Sequence, residues 1–183
     1  MPQPVVASPR PASPGPRGRA AAVAAVALLV AASAPPTLAQ TPAQWTEWGE
    51  RVHGGFGSLV AYGIGIGSDA LVRWGAPRRQ IEVEYQDGPA APCACVLDGI
   101  AIAVSASLGQ RTLALADGRT EPGLLGRARL TDRRTGRTLI YELPAEAMAT
   151  MAAINRDTPA EARYEAVMRL PADALFRVRE TVR

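Results

Sequence analysis

Lysine is absent from the 183 residues, so every basic side chain is an arginine. That excludes Schiff-base lysine chemistry, a Walker lysine and a biotinyl-lysine. Histidine occurs once, as His53. A Ser-His-Asp triad would have to use it, and a metal site with two histidines cannot form within one chain. Cysteine is confined to Cys93 and Cys95. The apolar run Ala20–Ala32 has 13 residues, short against the roughly 20 needed to span a bilayer.

That run follows Arg10, Arg17 and Arg19, and "PPTLAQ" comes after it. A basic stretch, a short apolar stretch and a small-residue site are the order of a secretory signal peptide. Residues 1–39 are therefore read as a signal peptide cut after Ala39, which predicts a periplasmic or secreted mature protein with no stable membrane anchor. No Arg-Arg pair precedes the run and no cysteine stands directly after it in "SAPPTLAQ", which speaks against twin-arginine and lipoprotein signals. The whole chain has a formal charge of +3. Removing three arginines from its 20 basic residues leaves 17, equal to the acidic count of 17. A formally neutral mature chain does not suggest a basic surface for nucleic acid.

Residues 40–183 then form one domain. "QTPAQWTEWGERV" reads as a helix with Thr41 as N-cap and Pro42 at the first turn. From His53 to Gly75, Phe56, Leu59, Val60, Gly63, Ile64, Gly67, Ala70, Leu71 and Trp74 fall at helical spacing. The recurring glycines of "GIGIGSDAL" suggest close packing against another backbone. A dinucleotide loop would need a preceding strand and G-x-G-x-x-G spacing, and both are missing.

"QIEVEYQ" alternates as a half-buried strand does, "RTLALAD" is a further strand, and "DRRTG" joins two strands as a hairpin. Helical patterns cover Ala145–Ile154 and Pro159–Met168, and a short piece "PADALFRV" follows. After "CACVLDG", a helix over 99–106 with Asp98 as N-cap is preferred to a buried strand. The whole is an α+β fold with a mainly antiparallel sheet and a layer of packed helices.

Three features could carry chemistry. His53 sits at a break between helices, where it is either a surface histidine or a metal ligand. Cys93 and Cys95 allow a disulfide, a redox pair, two thiolates on a soft metal, or two small buried residues. In an extended segment their Cα atoms would lie near the upper limit for bridging, which would strain a bond. The loop 105–112, "SASLGQRT", can hold a polar ligand on backbone N–H groups. It can equally be a helix C-terminus with Gly109 in the left-handed conformation. Ser105, Ser107, Gly109 and Gln110, with Asp98, are its candidate ligand-binding residues.

"HGGFGSLVAYGIGIGSDAL" followed by "CVLDGIAIAVSASLGQRTL" resembles the FmdE-like family, a domain type named after formylmethanofuran dehydrogenase. The likeness covers about residues 49–120. His53 matches the first position of the family's H-x-H-x-C motif, but Gly55 and Gly57 stand at the other two. Cys95 and Asp98 match its C-x-x-D segment, and Cys93 is an addition. Ser107 and Gly109 match its glycine loop, with Gln110 where lysine is usual. The cysteine-rich C-terminal finger of some members is missing. The resemblance implies an FmdE-like fold and a metal site, here rebuilt from His53, Cys93 and Cys95 around zinc or another soft divalent ion. It implies no reaction. The expected partner is thus a metal ion or a small molecule, with homodimerisation left open.

Overall fold

A computed structural model describes residues 40–182, so the signal-peptide reading of residues 1–39 lies outside the described residues. Helix α1, Pro42–His53, begins as its residues demand. Thr41 Oγ1 accepts the Gln44 N–H at 3.3 Å, and Gln44 Oε1 accepts the Thr41 N–H at 2.8 Å. This reciprocal capping box leaves two fewer orphan donors at the helix start. Gly54, at φ 85°, ends the helix and returns its N–H to Glu50 O. His53 is therefore the last residue of α1.

Helix α2 spans Ser58–Trp74 and ends at left-handed Gly75. The stripe read from His53 thus starts five residues later, because left-handed Gly54 turns the chain. Ser58 anchors the new start: its N–H donates to Asn155 Oδ1 and its hydroxyl to Met151 O, each at 2.8 Å. Strand β1 is Ile81–Asp87, with Ile81, Val83 and Tyr85 buried and Glu82 and Glu84 exposed. Helix α3, Cys95–Val104, follows. It starts four residues before the expected helix, which places Asp98 inside the first turn and not at the N-cap; Ala94 occupies that position.

Strands β2 (Leu113–Leu115), β3 (Leu124–Asp132) and β4 (Arg137–Pro144) come next. Helices α4 (Ala147–Asp157), α5 (Ala160–Met168) and α6 (Ala172–Leu175) lead to strand β5, Arg177–Val182. The sheet order is β2-β1-β3-β4-β5. Only β1–β2 is parallel; the other three pairings are antiparallel. The fold is α+β with a mostly antiparallel sheet. Strand β5 carries no clear signal in the sequence, because Arg177, Arg179 and Glu180 leave only a weak apolar alternation on an edge strand.

The β3–β4 hairpin turns on Asp132–Gly136. Buried Asp132 accepts the Arg134 N–H at 2.9 Å, the Arg134 guanidinium at 3.0 Å and the Thr135 hydroxyl at 3.1 Å. Burial alone would raise its carboxyl, but these donors win and hold it below the ordinary value of 3.8.

The core is built on the crossing of α2 and α3. A Cβ on Gly63 would overlap Val96 O and lie 2.9 Å from Gly99 Cα. A Cβ on Gly99 would overlap Val60 O and lie 2.8 Å from Ile64 N. Each glycine is the socket for the other helix's backbone. One turn on, a Cβ on Gly67 would stand 2.6 Å from Ala103 Cβ. The glycines of "GIGIG" therefore serve helix contact, as real side chains would hold the helices apart. Among the described residues, no single helix is long and apolar enough to cross a membrane.

Candidate functional site

The crossing at Gly63 and Gly99 sets the position of Asp98, the residue before Gly99. Helix α1 brings His53 to it. The two side chains meet at 2.7 Å, His53 Nδ1 to Asp98 Oδ2. They come from the two separate blocks singled out in the sequence, 45 residues apart. A carboxylate can only accept, so Nδ1 carries the proton; in the neutral ring Nε2 then carries the lone pair. Both side chains are partly exposed, 28% for His53 and 37% for Asp98. Nε2 is thus oriented by its partner and free to act as a base, a hydrogen-bond acceptor or a ligand.

The turn after His53 is held from below. Phe56 is buried with its ring against Gly49, where any Cβ would collide with it. Arg163 Nη1 donates to Phe56 O at 2.8 Å, and Nη2 to Asn155 O at 2.9 Å. His53, Gly54, Gly55, Phe56, Gly57, Asn155 and Arg163 line an open depression of about 310 Å³. Asn155 and Arg163 are far from His53 in sequence, on α4 and α5. Sequence reading missed them because no local pattern marks a residue that reaches across to another element.

Cys93 and Cys95 are bonded to each other. Ala94, at φ −78° and ψ 28°, is not extended. It brings the two Cα atoms to 5.3 Å, inside the usual bridging range. The expected span near the upper limit for bridging is therefore shortened by the local bend into α3. A bonded sulfur is no thiolate and gives a metal no charged donor. Among the described residues, no three His, Cys, Asp or Glu side chains form a group that could hold a metal ion. In the disulfide form, the expected zinc ligands His53, Cys93 and Cys95 do not fit the metal.

The loop 105–112 spends its polar groups on itself. Ser107 N–H donates to Thr112 Oγ1 at 3.0 Å, and Ser107 Oγ accepts the Gln110 N–H at 3.2 Å. Thr112 N–H returns to Ser107 O at 3.1 Å. The left-handed residues are Ser105 and Arg111, not Gly109. Gly109 and Gln110 are exposed. Ser105 closes α3 by donating its N–H to Ala101 O. It lines a separate, mostly apolar cleft of about 330 Å³ with Trp48, Val52, Arg78, Ala101, Ile102 and Ala106. Helix α3 has 10 residues, or about 15 Å of rise. Asp98 is near one end and Ser105 beyond the other, so the loop and the dyad are two places and not one site.

No curated protein matches the chain. The model of the family described as FmdE, molybdenum formylmethanofuran dehydrogenase operon, matches residues 52–181. The match runs well past the 49–120 of the sequence resemblance and takes in nearly the whole sheet, with His53, Asp98, Asn155 and Arg163 inside it. The chain belongs to the FmdE family.

Proposed function

We propose that this is an exported FmdE-domain protein that binds a small polar molecule at the His53–Asp98 dyad without a metal ion. The observation that carries the reading is the 2.7 Å contact that holds the imidazole by Nδ1 in a side chain that stays 28% exposed. The adjoining depression, lined by the glycine turn, Asn155 and Arg163, suits a ligand of metabolite size. A neutral Nε2 accepts, so the ligand offers an O–H or N–H donor. Export to the periplasm or beyond is consistent with joined cysteines, which persist in oxidising compartments. The partner is a small molecule; a formally neutral mature chain gives no reason to invoke nucleic acid.

A thermal-shift screen of polar metabolites tests this. A true ligand raises the melting temperature of wild type and fails to do so in His53→Ala. In Asp98→Asn the shift shrinks, because an amide can donate to Nδ1 and favour the opposite tautomer. Hits that survive His53→Ala, or a screen with no hit, reject the reading.

A second reading rests on the position of Cys95, one turn before Asp98 on α3. In reduced protein, two thiolates and Nε2 would offer three donors to zinc or another soft divalent ion. Elemental analysis of reduced protein, without chelator, decides it. Equal metal content in wild type and a Cys93→Ser/Cys95→Ser variant eliminates the metal.

A further inference from the structure

We propose that the Cys93–Cys95 disulfide is a thiol–disulfide exchange site that accepts electrons from a dithiol. Three observations support this. The bond joins residues two apart, and a disulfide stabilises a fold mainly by closing a loop in the unfolded chain, more so for longer loops. With one residue between its ends, this bond closes almost no loop and makes a poor staple. The two sulfurs also differ in access: Cys93 is exposed, whereas Cys95 is 9% exposed. Finally, Cys95 is the first residue of α3, a helix whose start has no side-chain cap. Its first N–H groups and dipole stabilise a thiolate placed there.

The step follows from this asymmetry. A thiolate of the dithiol attacks Cys93 Sγ, the reachable sulfur. The Sγ–Sγ bond breaks, a mixed disulfide forms on Cys93, and Cys95 leaves as a thiolate at the start of α3. The second thiol, deprotonated by solvent, attacks the partner's own sulfur in the mixed disulfide. The partner departs as a disulfide, oxidised by two electrons, and Cys93 is released as a thiolate. Both cysteines then take up protons from water according to pH. A better leaving thiol is the one with the lower pKa, which assigns the leaving role to Cys95.

The test uses purified oxidised protein, with dithiothreitol and a reduced two-cysteine peptide as probes. The expected result is one equivalent of peptide oxidised and two new thiols per chain by Ellman's reagent. Reduction is expected to leave the melting temperature within roughly 2 °C of the oxidised form, since so short a loop adds little. Cys95→Ser leaves Cys93, which reacts with Ellman's reagent about tenfold faster than the Cys95 thiol of Cys93→Ser, because access limits exchange. A bond that excess dithiothreitol leaves intact, reduction that unfolds the domain, or equal reactivity of the two single thiols overturns the proposal. If a single variant fails to fold, the wild-type thiol count and melting temperature still decide. His53 and Asp98 are unchanged throughout, so the failure of this proposal is separate from that of the dyad reading.

Discussion

Gly63→Ala is the substitution that most directly probes how the fold builds its site. The new Cβ overlaps Val96 O and comes within 2.9 Å of Gly99 Cα and Ile100 N. All three obstacles are backbone atoms, which no rotamer change can move. Restoring the 2.9 Å approaches to the roughly 3.5 Å of an ordinary nonbonded contact parts the helices by at least about 0.6 Å. The overlap with Val96 O raises that to about 1 Å. A gap of this size forfeits about a quarter to a half of the dispersion energy across the contact.

Overpacking of this kind costs about 3 kcal/mol, the upper end of its usual range. Alanine returns about 1 kcal/mol of helix propensity. The expected net loss is about 2 kcal/mol, or a fall of roughly 6–8 °C in melting temperature for a domain of this size. The same movement shifts the helix that carries Asp98 and is expected to loosen its 2.7 Å contact with His53. Urea unfolding reads the first effect. Side-chain NMR of the His53 Nδ1–H, protected only while Asp98 holds it, reads the second. Gly65→Ala is the control, since its Cβ meets only the flexible end of Met168. A Gly63→Ala protein as stable as wild type, with the Nδ1 proton still protected, would refute the reasoning.

Two further outcomes follow from buried polar groups. Asp132→Ala removes the acceptor of three hairpin donors and costs about 2 kcal/mol at neutral pH by urea unfolding. Because the folded carboxyl lies below 3.8, its contribution is full above the unfolded value and lost as pH falls through the folded one. The gap between variant and wild type therefore closes in acid, and a gap that stays constant down to strongly acid pH contradicts the account. Tyr85 is 1% exposed, and its hydroxyl has no hydrogen-bond partner. Tyr85→Phe removes an unpaired buried group and is expected to raise stability by about 1 kcal/mol; a loss of that size would mean the hydroxyl is bonded in solution.

Much of the architecture was legible because its signals are local. Thr41 and Pro42 lie within one turn, so the start of α1 could be read before any packing was known. Gly75 ended α2 for the same reason, and the alternation of Ile81, Val83 and Tyr85 follows from the two-residue period of a strand that covers a core. The start of α3 was less legible. Asp98 has the chemistry of an N-cap, yet the chain turns into a helix at Cys95, where apolar Val96 and Leu97 are buried. Burial of those two side chains outweighed a cap, and it freed the carboxylate for His53.

By itself the sequence determined which residues could do chemistry at all: one histidine, two cysteines one residue apart and no lysine. It also showed, through glycines at helical spacing, that two backbones meet closely. Only the tertiary structure decided how these residues combine. The Gly63–Gly99 contact fixes the crossing of α2 and α3, and left-handed Gly54 ends α1 at His53. Together they bring His53 to Asp98, across 45 residues of chain. The cysteines are paired with each other because the bend at Ala94 shortens their span to 5.3 Å. Hydrogen bonds and close packing across such separations depend on where whole elements rest, and no spacing within one element encodes that.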